Sequence, residues 1–174
     1  MKVFKILVLV GRDRPGIVDK VSAFLFQRGA NIEDSRMAAM GGRFSVMVLF
    51  SCSPEQFTAI QSELRRLDQL GFETSLHEAD DPAVLTPKPH LPLKIEVTAM
   101  DHPGIVQKVV HVLHQHQVNI ISLNTHVTHA PLSGGPLFNL ILEAGVPADA
   151  SVAQVKRDLE ALAVEMNLGL NIKT

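Results

Sequence analysis

One short sequence occurs twice in the chain. Asp13-Arg14-Pro15-Gly16-Ile17-Val18 returns 88 positions later as Asp101-His102-Pro103-Gly104-Ile105-Val106. Both copies follow an apolar, β-branched run and precede a pattern of helical period. About half of residues 13–35 recur in 101–123, among them Lys20/Lys108, Val21/Val109, Leu25/Leu113, Asn31/Asn119 and Ile32/Ile120. The spacing is far longer than a solenoid unit, so the pattern reads as a duplicated domain rather than an array.

In the first copy, Val3–Val10 reads as a buried strand. Pro15 and Gly16 break it and start a helix striped by Ile17, Val18, Val21, Phe24 and Leu25, and Gly29 ends that helix. Asn31–Met40 and Arg43–Ser51 read as two strands joined by Gly41-Gly42, a two-residue hairpin signal. Ser53, Pro54 and Gln56 fit a capped helix start, followed by an apolar face of Phe57, Ile60, Leu64 and Leu67. Phe72–His77 follows as a fourth strand.

The second copy repeats the order. Leu93–Ala99 is a strand, 104–116 a helix, 118–128 and 137–143 a strand pair, and Val152, Val155, Leu159 and Leu162 line a second helix capped from Asp149 or Ser151. The sequence predicts an α+β chain: domain 1 over 1–79, a proline-rich linker over 80–92 and domain 2 over 93–174. Each domain has βαββαβ order, the ferredoxin-like arrangement of one antiparallel sheet with helices on one face. Two such units are expected to pack together.

The formal net charge is −2, without the overall basic footprint usual for nucleic-acid binders, although seven of the eight arginines precede residue 80. Cys52 is the only cysteine, so no intrachain disulfide can form, as fits a reducing cytoplasm. Lys5 interrupts the N-terminal apolar run, which favours a strand over a signal peptide. No run approaches the roughly 20 apolar residues of a membrane-spanning helix.

The strand, the Asp-x-Pro-Gly-Ile-Val turn, the amphipathic helix and the Asn-Ile pair opening the next strand together resemble the ACT domains, small-molecule regulatory modules. The resemblance covers nearly the whole chain except the linker. Two such units of this length look most like the glycine cleavage system transcriptional repressor group. That resemblance implies amino-acid sensing and repression through a separate DNA-binding protein, with no direct contact to nucleic acid or membrane. It implies neither cofactor nor enzyme activity, and it allows a homodimer.

A ligand at the turns has a physical basis. Gly16 and Gly104 permit close backbone approach, and free N–H groups at a helix start favour a carboxylate. Asp13 or Asp101 can accept from an α-ammonium group, while Asn31 or Asn119 can donate and accept. The candidate binding residues are Asp13, Arg14, Pro15, Gly16, Ile17, Asn31 and Ile32, with Asp101, His102, Pro103, Gly104, Ile105, Asn119 and Ile120. Arg14 offers the first copy extra carboxylate affinity, and His102 replaces it in the second. The bland alternative is that Asp caps the helix and Pro-Gly merely makes the turn.

His111, His114 and His116, with His126 and His129, suggest a zinc cluster, but the apolar stripe of their helix leaves His111 and His114 on its solvent side. Cys52 reads as a small buried residue. Ser133-Gly134-Gly135 reads as a hairpin tip in a longer loop, Thr128–Pro136, suited to a partner contact or a lid over a ligand, with a tolerated surface insertion as the bland alternative. The alternative function is a constitutive interaction scaffold without a ligand.

Overall fold

The computed structural model describes residues 2–84, 89–129 and 134–174. Its contacts divide it into two units, 1–86 and 87–174. Unit 1 runs β1 (Val3–Arg12), α1 (Ile17–Phe26), β2 (Asn31–Met40), β3 (Arg43–Cys52), α2 (Pro54–Glu63), α3 (Arg65–Gln69) and β4 (Phe72–Ala79). Unit 2 runs β5 (His90–Met100), α4 (Ile105–Gln115), β6 (Asn119–His129), β7 (Pro136–Pro147), α5 (Val152–Met166) and β8 (Gly169–Lys173). The sheets are antiparallel, ordered β2-β3-β1-β4 and β6-β7-β5-β8, so both repeats have the ferredoxin-like arrangement.

Strand alternation sets the layers. In unit 1, Leu7, Leu9, Val46, Val48 and Phe50 point to the helix side and are fully buried against Val21, Leu25 and Ile60. In unit 2, Ile95, Val97, Leu140 and Leu142 do the same against Val109, Leu113, Val155 and Leu159. Each apolar side chain withdrawn from water contributes about 1.5–3 kcal/mol.

Turn chemistry matches the sequence pattern. Gly41 and Gly42 have φ of 57° and 74°, the left-handed pair that a tight hairpin demands. Ser53 and Gln56 form a reciprocal capping box on α2, and in unit 2 the side chain of Ser151 caps the start of α5 by accepting from the Gln154 N–H.

Several details differ from the sequence pattern. The helix expected through Leu67 breaks after Glu63 into α2 and the one-turn α3. Strand β5 begins at His90 rather than Leu93, because its pairing with β7 continues through Pro92↔Gly145 to His90↔Pro147. Val18 is substantially exposed, as is its counterpart Val106 in the second repeat, so the buried stripe of α1 is narrower than expected. In the loop expected over Thr128–Pro136, Thr128, His129 and Pro136 are strand residues, and residues 130–133, including Ser133 of the expected tip, lie outside the described residues.

Candidate functional site

Both turns have the same construction. Gly16 (φ 85°) and Gly104 (φ 101°) are left-handed residues immediately before α1 and α4, and neither helix start receives a side-chain cap. The capping role open to Asp13 and Asp101 is therefore not the one they take. Their backbone N–H groups instead donate to the carbonyls of Gly42 and Pro136, both at 3.1 Å, which ties each turn to the neighbouring strand hairpin. Ile17 and Ile105 are buried and anchor the turn from below, while Asp13, Pro15, Gly16, Asp101, Pro103 and Gly104 are exposed.

The first N–H groups of each helix thus have no side-chain cap, and each N-cap glycine follows an exposed aspartate by three positions, which offers donors for an anion and an acceptor for an ammonium group at one turn. Arg14 is already engaged. Its guanidinium donates to the Leu70 carbonyl and lies 5.5 Å from the centroid of the Phe72 ring. In the second copy, His102 Nδ1 sits 3.1 Å from the Pro103 carbonyl oxygen.

Asn31 and Asn119 lie elsewhere. Asn31 pairs with Ser51 near Val3↔Cys52, whereas the turn follows Arg12↔Arg43 at the other end of β1. Eight residues of strand separate the two levels, about 25 Å. Unit 2 repeats this, with Asn119↔Gly145 near one end of β5 and Met100↔Leu137 at the other. Neither unit by itself brings its turn and its Asn-Ile pair to one ligand. Ile32 is partly exposed, and Ile120 packs against the unit 2 core.

At the asparagine ends the two units have corresponding cavities. That of unit 1, about 500 Å³, is lined by Lys2, Asn31, Ser51, Ser53 and Gln56 among others. That of unit 2, about 530 Å³, is lined by His90, Gln117, Asn119, Pro147 and Asp149 among others. Glu33, a residue the sequence pattern did not single out, accepts from Ser51 Oγ at 2.6 Å and Asn31 Nδ2 at 3.0 Å. Those bonds, Ser51 first, hold its carboxyl below the ordinary range. Glu33 falls at a β-bulge, where the register shifts between Ile32 and Asp34; the same shift recurs between Ile120 and Ser122. A bulge is not legible from hydrophobic periodicity alone.

His111 and His114 are exposed, as the helix stripe predicts. His116 is different: its Nε2 lies 2.7 Å from Asp158 Oδ2. Among the described residues no cluster of three or more His, Cys, Asp or Glu is placed to hold a metal ion. Cys52 is buried, and burial pushes its thiol pKa up, so the end of β3 does not favour a thiolate. Among the described residues no helix is long and apolar enough to cross a membrane.

Two matches to the ACT domain, over residues 5–77 and 94–162, coincide with the two structural units. The chain belongs to the ACT-domain family. Along most of its length it is similar to the glycine cleavage system transcriptional repressors of Escherichia coli (strain K12) and Shigella flexneri, at 28% identity over 94% of this chain and 86% of each relative. A solved structure of an unknown protein from Galdieria sulphuraria matches with a TM-score of 0.84 and 29% identity, covering 99% of this chain and 98% of that one. Another, proposed in its description to be a glycine cleavage system transcriptional repressor, matches with a TM-score of 0.72 and 25% identity over 99% and 97% of the two chains. These likenesses support a regulatory role for this tandem ACT protein.

Proposed function

We propose that this tandem ACT protein senses an amino acid, glycine or a small relative first, and regulates glycine cleavage or related amino-acid metabolism through a partner protein. The observation that carries the reading is the duplicated turn: two helix starts, each opened by a left-handed glycine, each without a side-chain cap, each beside an exposed aspartate. A ligand carboxylate meets the N–H groups after Gly16 or Gly104, and its ammonium group meets Asp13 or Asp101. Since Arg14 is held by Leu70 and Phe72, carboxylate binding rests on the backbone donors.

Regulation requires that the ligand bind two states of the protein with different affinity, and the partner reads that difference. The partner in this reading is a DNA-binding regulator, with a net charge of −2 on this chain giving no general attraction for nucleic acid. The protein is not an enzyme in this reading and acts in the cytoplasm.

Calorimetric titration with each of the twenty amino acids tests the sensing step. Glycine or a small relative is expected to bind the wild type, with affinity lowered about tenfold or more in Asp13→Asn or Asp101→Asn, the loss of a charge-assisted contact. No binding at millimolar ligand removes the sensing claim and leaves the fold untouched.

A further inference from the structure

The sheet faces turned away from the helices differ between the units. In unit 1, Ile6, Val8, Val10, Met47 and Leu49 alternate with the buried Leu7, Leu9, Val46 and Val48 and form an apolar face. The corresponding face of unit 2 carries a polar network: Thr98 Oγ1 donates to Asn139 at 3.3 Å, Asn171 donates to Glu96 at 2.9 Å, and Lys94 and Lys173 pair with Glu96 at 3.2 and 3.3 Å.

Beside β2 the unit 1 face holds a cavity of about 180 Å³, lined by Ile6, Met47 and Leu49 with Asp34, Ser35 and Arg36. The bulge after Ile32 shifts the register so that Asp34 and Arg36 stand opposite Leu49 and Met47 on this same face. The floor is apolar and the rim carries one anion and one cation. Arg36 Nη1 donates to Asp34 Oδ1 at 2.5 Å and to the Ser35 carbonyl at 2.8 Å, and Asp34 Oδ1 also accepts from Ser35 N–H at 2.7 Å. Asp34 Oδ2 and Arg36 Nη2 have no partner among the described residues. At the matching positions unit 2 has Ser122, Asn124, Lys94, Ile141 and Glu143, which remove both the ion pair and the apolar floor.

We infer that this cavity binds the zwitterion of an aliphatic α-amino acid, of leucine or methionine size. The ligand carboxylate takes the open donors of Arg36, its ammonium takes Asp34 Oδ2, and its side chain covers Ile6, Met47 and Leu49. The volume is below the roughly 300–1,000 Å³ of pockets for drug-sized ligands, which suits a single amino acid. The site deepens the amino-acid-sensing reading but is separate from the Gly16 turn, so either can fail alone.

Calorimetry of the full chain with L-leucine, N-acetyl-L-leucine, L-leucinamide and glycine tests it, with circular dichroism to verify folding. Leucine is expected to bind, with both blocked derivatives at least tenfold weaker. Arg36→Gln and Met47→Glu should each weaken leucine about tenfold or more, while Glu165→Gln, at an exposed position of α5 in unit 2, leaves leucine unchanged. No leucine binding to the wild type at millimolar concentration overturns the inference. So does undiminished binding by folded Arg36→Gln, equal binding of the blocked derivatives, or a loss confined to Asp13→Asn, which would put leucine at the turn.

Discussion

His116 and Asp158 join the end of α4 to α5 at 2.7 Å, at the position where Arg28 and Glu63 join α1 to α2 at 2.6 Å. His116 lies 88 residues after Arg28, the interval between the turns, and Glu63 and Asp158 each follow a fully buried helix residue, Ile60 or Val155, by three positions. Duplication thus preserved an interhelical bridge while replacing guanidinium with imidazole. Further donors support each acid: Arg66 reaches Glu63 at 3.0 Å, and Gln154 reaches Asp158 at 2.8 Å.

These bridges have an acid-side signature. The hydrogen bond from Arg28 holds the Glu63 carboxyl below its ordinary range, and that from His116 does the same for Asp158. A depressed carboxyl contributes stability that is fully present above the unfolded carboxylate pKa and is lost as pH falls through the folded value. Glu63→Gln and Asp158→Asn should therefore lower Tm slightly at pH 7, by about one to three degrees for such part-buried pairs. Thermal melts of variant and wild type should converge as pH drops below the carboxylate range. A difference that persists undiminished at pH 2.5 would assign it to packing instead of charge.

The turn glycines separate backbone strain from steric fit. A Cβ built on Gly16 or Gly104 meets nothing within 4 Å, yet both residues have φ in the left-handed region. Gly16→Ala and Gly104→Ala should each cost about 1 kcal/mol or slightly more, from backbone conformation alone. Denaturant unfolding measures this. Asparagine at the same position, which tolerates left-handed φ better, should recover part of the loss.

How much could be read beforehand follows from which forces are local. The turn, the Gly41-Gly42 hairpin and the Ser53 capping box are short-range chemistry, and all appear in the structure where their residues predict. Leu113 and Leu159 reach the core because helical period specifies one face. The distance between Gly16 and Asn31 was not legible, because it depends on α1 and β1 running past each other over the full length of the sheet. Nor was the shift that places Asp34 and Arg36 beside Leu49, since a one-residue bulge leaves no mark in composition. Long-range pairings such as His116–Asp158 emerge only when the repeats are compared in space.

Cys52 tests the closure of the unit 1 core. Its thiol is buried at the end of β3, and burial raises its pKa, so it combines low access with little thiolate. Labelling by a disulfide reagent at pH 8 should be very slow in the folded protein and reach one thiol per chain in denaturant. Rapid labelling of the folded state would show that the β3–α2 corner opens.

Lys5 offers a test that the chain has already performed on itself. It is 7% exposed, pairs with the Glu78 carboxylate, and holds its ammonium 4.4 Å from the centroid of the Phe57 ring. At the equivalent place in unit 2 stands Leu93, 2% exposed and part of the core. Placing an ammonium this deep carries a desolvation cost that one ion pair only partly offsets, whereas the Lys5 stem packs like a hydrocarbon. Lys5→Leu should thus leave stability unchanged or raise it by about 1 kcal/mol, because the Glu78 side chain left behind is 87% exposed and stays hydrated. Lys5→Ala removes the stem as well and should cost about 1–3 kcal/mol. Denaturant unfolding of the two variants separates the contributions: equal losses would mean that the ammonium, with its ion pair and the Phe57 face, holds this corner together.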